Sequence, residues 1–383
     1  MKKVAPIVVM IVLMSILLGA LLYDNSSQNT EGVEEVTALV HEVDNSDVVS
    51  GGVSKIGFQT VVVEILEGKY KGQQIEATNN LLGQLELDTF CKPDDKIVVA
   101  IKEDNGQITN GIVLEHYRQD WEFILFAFFV VCLIVYARFT GVKALFSFVA
   151  SLFVIWKFLI PGLLNGNNPL VLASGVLVLL SAIIIFSIAG FTKKGISAFI
   201  GTIVGLLVTI GLTLIFGDKL NLNGMTSSFA PTLLFSGHHD LNMKYIFYAA
   251  IIIGASGAAM DIAMDVAASM EEIKMKKPDI NTKELIQSGF NVGRAVIGTM
   301  TTTLLLAYSG GYLTLLMLFM TKNSSFVRIL NLKIVASEIM RTVVGSIGLV
   351  LVAPITAIFA GWIYTTELKS IFSESKEQVE TEI

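Results

Sequence analysis

Apolar runs of about twenty residues, separated by short polar stretches, fill the chain beyond residue 120, and one more run opens it. A helix rises 1.5 Å per residue, so a run of that length crosses a bilayer core. The pattern predicts crossing helices at Val4–Leu22, Phe123–Tyr136 (reaching toward Phe139), Ala144–Leu164 and Leu170–Phe191. It predicts four more at Ile196–Phe216, Tyr245–Ala268, Arg294–Leu318 (interrupted by Gly310-Gly311) and Val343–Ile363. Residues 33–116 have a different period. Apolar and polar positions alternate over Glu35–Glu42, Gln59–Ile65, Gln73–Ala77, Lys96–Lys102 and Ile108–Leu114. Gly51-Gly52, Gly68, Gly72, Pro93-Asp94 and Asn105-Gly106 mark the turns between these predicted strands. Five short strands of this kind fit a small barrel of the OB type.

The expected fold class is therefore a polytopic all-α membrane bundle of eight transmembrane helices with an N-terminal extracytoplasmic β-barrel-like domain. Its parts are a membrane anchor at 1–23, a β-rich domain at 24–120, the helical membrane domain at 121–366 and a polar cytoplasmic tail at 367–383. The first run is longer than a usual signal core and reads as a retained anchor rather than a signal peptide. Lys2-Lys3, Arg138, Lys143 and Lys193-Lys194 assign their helix ends to the cytoplasm, with both termini inside. Lys322, Arg328, Lys333 and Arg341 fall outside on this scheme and fit it badly. Two connections stay open. Residues 217–243 read as an interfacial helix, a re-entrant loop or an ordinary external loop. Residues 323–342 read as an interfacial helix or part of a broken one.

Composition agrees with a membrane protein: 53% of the 383 residues are hydrophobic and only 16% charged, against about 25% charged in soluble domains. The formal charge of −6 hides a segregation. Residues 24–120 hold 18 acids against 7 lysines and arginines. That is no surface for a nucleic acid. Cys91 and Cys132 lie in different environments, so no disulfide is expected. The chain has no Walker phosphate loop, HExxH helix or GxSxG elbow, and neither a cofactor nor a catalytic residue is indicated. His238-His239-Asp240 lacks the three or four converging ligands of a zinc site. Gly201 and Gly205 form a GxxxG surface for close helix packing, extended by Ser197.

Chemistry concentrates on Asp261 and Asp265, one helical turn apart in an apolar run. Carboxylates at bilayer depth are costly, and they mark an ion or proton site, a structural polar network or the membrane boundary. Ser269 continues their face toward Glu271 and Glu272. Arg294 is expected near the level of Asp265 as a candidate ionic partner or a snorkelling cation. Thr299, with Thr301, Thr302 and Thr303, supplies hydroxyls able to coordinate ions or join helices. Glu338 and Arg341 are spaced for a structural pair. The candidate ion, proton or polar-network residues are thus Asp261, Asp265, Ser269, Arg294, Thr299 and Glu338.

The stretches GASGAAMDIAMDVAASMEEI (254–273), SGFNVGRAVIGTMTTTLLLAY (288–308) and SEIMRTVVGSIGLVLVAPITA (337–357) resemble the YibE/F-like family of integral membrane proteins. The anchor and β-rich domain suit the longer form of that family. The resemblance implies a multi-pass plasma-membrane protein and singles out Asp261, Arg294 and Glu338, without a substrate. A secondary transporter or transport-complex subunit is the leading expectation, with a cation, proton or small polar solute as ligand. An envelope scaffold or sensor is the alternative, with an envelope protein or a second copy as partner and membrane lipid around it.

Overall fold

The computed structural model describes residues 5–23, 33–85, 87–104, 107–227, 229–321 and 325–366. Lys2-Lys3, the Asn105-Gly106 turn, Lys322 and the 367–383 tail lie outside the described residues. The chain divides into two compact units, Gly19–Arg138 in one and Met1–Leu18 with Phe139–Ile383 in the other. The division falls at a helix break, where Arg138 has φ 49° and ψ −123°.

Six strands build the barrel: β1 (Val33–Asp44), β2 (Val48–Gly51), β3 (Ser54–Ile65), β4 (Gln74–Leu82), β5 (Lys96–Asp104) and β6 (Gln107–His116). Their order is β1-β5-β6-β4-β3-β2, and a β1–β3 pairing closes the five long strands into a ring. Those five are the ones the alternation predicts. The short β2 is an addition, because Val48–Gly51 breaks off at Ser50-Gly51 before any alternation develops. Inward positions are fully buried, among them Ala38, Val40, Val61, Val63, Ile97 and Val99.

A buried amide network then fixes the loop after β4. Asn79 Nδ2 donates to Gln59 Oε1 at 2.8 Å, and that oxygen also accepts from the Cys91 backbone at 2.9 Å. Gln59 Nε2 donates to the Cys91 carbonyl at 3.1 Å. Burial pushes the Cys91 thiol up to about 12. Gly57 is required where it stands. It has φ 118°, and a Cβ there would lie 2.0 Å from the Asp47 carbonyl oxygen.

The helices are α1 (Ala5–Tyr23), α2 (Gln119–Val154), α3 (Ile160–Leu164), α4 (Pro169–Ala189) and α5 (Lys193–Lys219). They continue with α6 (Ala230–Phe235), α7 (Met243–Lys276), α8 (Thr282–Gly311), α9 (Leu313–Thr321), α10 (Phe326–Leu330) and α11 (Lys333–Thr365). A π turn at Ile155–Leu159 joins α2 to α3. Side-chain caps start several of them: Asn168 for α4, Thr192 for α5, Asn242 for α7 and Asn281 for α8.

Among the described residues five helices are long and apolar enough to cross a membrane, or six if α8 and α9, bent by 66°, form one span. The expected multi-spanning helical bundle with an N-terminal β-barrel-like unit is present. The runs at 123–139 and 144–164 lie within the stretch Gln119–Leu164, which kinks between two helices at the non-helical Arg138. The first run forms α1, and among the described side chains Val12–Leu21 is a shorter apolar helix.

In the helical unit α11 packs against α5, α7 and α8. Small residues set the approach of α5. A Cβ at Gly201 would lie 2.0 Å from Thr356 Oγ1, and one at Gly205 would lie 2.2 Å from Val352 Cγ2. On the partner helix, Gly348 gives the same room to Thr209. The GxxxG surface is therefore a packing face. Among the described residues of the two open connections, Ala230–Phe235 forms the short α6 and Phe326–Leu330 the short α10. From Lys333 onward the chain is already α11, so Glu338 and Arg341 ride on a spanning helix.

Candidate functional site

The sequence divides α7 into two faces. Ile251, Ile252, Ala255, Ala259, Ile262, Ala263 and Val266 are buried in the bundle. Ala250, Gly254, Gly257, Asp261 and Asp265 are exposed and succeed one another at three- and four-residue steps. The exposed stripe thus carries small residues and then two carboxylates one turn apart. Neither aspartate has a hydrogen bond or ion pair among the described residues. Ser269 is half-buried a further turn along. The next acid on the helix, Glu271, is held by Lys194 at 3.0 Å.

A second polar group is built where α8 bends into α9. Arg341 Nη1 lies 3.5 Å from Glu338 Oε1, and both side chains are mostly buried. The same guanidinium nitrogen donates to the Tyr312 hydroxyl at 3.3 Å, and the group sits 5.6 Å from the centre of the Phe247 ring. Glu338 Oε2 and Arg341 Nε are buried without a hydrogen-bond partner. Tyr312 directly follows Gly310-Gly311, so the α8–α9 bend positions it. Tyr308 lies one turn earlier, and its hydroxyl would be 3.2 Å from a Cβ at Gly254 of α7.

Glu338, Tyr308 and Tyr312 line a cavity of about 250 Å³ that opens a seam between α8 and α11. A neighbouring cavity of about 400 Å³ shares Leu305, Thr342 and Val343 with it and adds Thr301, Thr302 and Ser346. A third, of about 330 Å³, shares Val350 and ends at Arg294. Along this seam the hydroxyl protons of Thr301, Thr302 and Ser346 are given to backbone carbonyls of their own helices at 2.7–2.9 Å. Their oxygens are left as acceptors.

Residues 125–366 match the model of the YibE/F-like protein, and residues 29–115 match that of the YibE/F family N-terminal domain. The chain belongs to the YibE/F family. No curated protein and no solved structure matches it. Membrane, multi-spanning character goes with that membership. The positions singled out in this YibE/F chain, Asp261, Arg294 and Glu338, fall on α7, α8 and α11.

They do not converge. The contacts of Gly289 with Met270 and of Gly293 with Val266 put Arg294 near the level of Asp265. Level is not facing, however: Arg294 donates to Asn291 Oδ1 at 3.1 Å and lines the seam beside Val350 and Pro354 of α11. The structure makes no Arg294–Asp265 pair. Thr299 is exposed and gives its proton to the Val296 carbonyl at 3.0 Å. The Glu338–Arg341 pair forms as its spacing indicates.

Sequence reasoning missed Tyr308 and Tyr312, although a tyrosine straight after a glycine pair was a signal for the second. It also passed over Lys157, a half-buried lysine in the π turn. A lysine between Trp156 and Phe158 inside an apolar run is the signal that marks it.

Proposed function

We propose that this YibE/F protein is a secondary transporter or the membrane subunit of a transport complex, coupled to a cation or a proton through Asp261 and Asp265. One observation carries the reading: two carboxylates lie on the exposed stripe of a membrane-length helix without a partner among the described residues. A charged carboxylate at that depth costs about 2.5–3.5 kcal/mol even on permissive insertion scales. Water, a bound cation or protonation has to remove that cost. One turn of separation lets both carboxylates share one cation, or lets a single proton move between them through water.

On this reading the α8–α11 seam is the solute path and the Glu338–Arg341–Tyr312 group is its gate. Broken helices supply the binding elements of many transporters, and the 66° bend after Gly310-Gly311 is such a break. Rotation of α9 about the glycine pair would separate Tyr312 from Arg341 and open the 250 Å³ cavity. Seam oxygens that only accept suit a solute rich in donors.

The full topology belongs to the same proposal. A straight helix of the 46 residues Gln119–Leu164 would run about 69 Å, twice a bilayer core. Arg138 divides it into two crossings. With α1, α4, α5, α7, the α8–α9 pair and α11, the count is eight. Lysines at Lys193-Lys194 then place both termini in the cytoplasm and the barrel outside.

The test is coupled flux in reconstituted vesicles. Proton and sodium movements are followed while gradients of small polar solutes are imposed one at a time. The wild-type protein should move an ion with one solute, and Asp261→Asn should abolish that coupling while eluting and unfolding as the wild type does. Coupled flux retained in a well-folded Asp261→Asn protein would refute the site.

A further inference from the structure

The barrel carries an apolar surface that no other described residue covers. Val49, Ile56 and Leu82 are register partners across β2, β3 and β4, so their side chains form one row on the outer face. Val53 in the β2–β3 turn and Leu85 and Leu87 in the loop after β4 extend the row, with exposures from 50% for Leu87 to 87% for Val53. Isolated exposed apolar residues need no explanation, but a contiguous patch marks an interaction surface.

Its position in the fold names the occupant. The Leu82 backbone N–H donates to Asp88 Oδ1 at 2.9 Å, and the next residue, Thr89, donates its hydroxyl to Glu115 Oε2 at 3.1 Å. That same oxygen accepts from Arg118 Nη1 at 2.9 Å, and Arg118 immediately precedes α2. The patch is thus tied to the end of the barrel where the chain enters its first long apolar helix. Only Tyr117 and Arg118 separate β6 from α2, a span of about 10 Å at full extension. The opening turns of α2 expose Trp121, Phe123 and Leu125, which require lipid around them.

We propose that the β2–β3 tip and the loop after β4 insert into the headgroup–acyl boundary of the leaflet that α2 enters, so that the barrel lies partly embedded in lipid. The apolar patch of the barrel and the opening turns of α2 then share the phospholipid interface as their occupant. The barrel is then fixed at one height and orientation over its leaflet, which a tether at the chain alone would not achieve.

Spin labels on the full-length protein test this in vesicles of phosphatidylcholine and phosphatidylglycerol. Cysteines replace Val53, Leu85 and, as a control in the distant β3–β4 turn, Lys71, all in a Cys132→Ala background. The native Cys91 stays unlabelled, being buried with its thiol pushed up to about 12. Collisions with oxygen and with a water-soluble nickel chelate then report depth. Labels at 53 and 85 should lie about 5 Å or more below the phosphates, while the label at 71 is open to nickel. Adding Leu82→Asp should return the label at 53 to water. Nickel access at 53 and 85 equal to that at 71 would overturn the proposal. Shielding from both reagents would overturn it equally, because a protein partner or second copy would then cover the patch.

Discussion

Glu338→Gln removes the anion that faces Arg341 on a membrane-length helix. The pair is 3.5 Å apart, with 15% and 20% of the two side chains exposed, so solvent screens it little. Breaking a buried pair from one side costs roughly 3–5 kcal/mol, because the surviving charge is left uncompensated. Arg341 keeps the Tyr312 hydroxyl and the Phe247 ring, which places the expected loss at the low end, about 3 kcal/mol. Removing both charges with Glu338→Gln and Arg341→Met should restore most of it, since methionine retains the apolar stem. Reversible unfolding in mixed micelles, read as a double-mutant cycle, should give a coupling of at least about 2 kcal/mol. A Glu338→Gln protein as stable as the wild type, or two single losses that simply add, would show that the pair does not hold α11 to the α8–α9 bend.

Other positions give sharper contrasts. Gly201→Ala should cost about 1–3 kcal/mol by overpacking, because its Cβ would meet Thr356 down to the Cα at 2.9 Å, whereas Gly257→Ala meets nothing within 4 Å and should be neutral or slightly stabilising; equal unfolding midpoints would contradict the close α5–α11 approach. Asp261→Asn breaks no hydrogen bond or ion pair among the described residues, so it should shift stability by no more than about 0.5 kcal/mol, and a larger loss in the same unfolding assay would reveal a structural partner. The Arg118 guanidinium, with the Thr89 hydroxyl, holds the Glu115 carboxyl below its ordinary range. That tie therefore stabilises above the ordinary glutamate value, about 4.3, and is lost as pH falls through the lower folded value. Hydrogen exchange of the loop after β4 should rise in that acid window, and Glu115→Gln should remove the pH dependence. A thiol reagent at pH 8 in detergent should label Cys132 and spare Cys91 until the barrel unfolds; early labelling of Cys91 would mean that its loop opens.

Patterns local to one element were readable in the sequence. Alternation located the five long strands, because inward positions such as Val61 and Val63 fall two residues apart and are fully buried. The small face of α5 was readable because Gly201 and Gly205 repeat at the helical step. The Glu338–Arg341 pair needed only its spacing. What depended on a second element was not readable. Arg294 fails to meet Asp265 because Gly293 occupies the close contact with Val266 and Ala353, and the next residue is turned 100° onward, toward α11. The break at Arg138 was readable, in contrast: a basic residue in an apolar run reads as the end of a span, and the helix kinks there.

The polar groups of the membrane unit divide by whether the chain completes them. Lys194–Glu271 and Glu338–Arg341 are paired internally, and Thr209 and Thr213 give their protons to their own helix. Groups completed in this way hold helices in register and lose that role when one member is removed. Asp261 and Asp265 stand apart, since the described residues place small side chains beside them and no cation. A purely architectural carboxylate on α7 would be expected to resemble Glu271, with a lysine from a neighbouring helix on it. A pair on an exposed stripe, without a partner among the described residues, leaves its charge open to balance by ions, protons or another subunit. That difference is why the proposed function assigns coupling to α7 and gating to the paired residues of α11, and why stability and flux should respond oppositely to mutations at the two places.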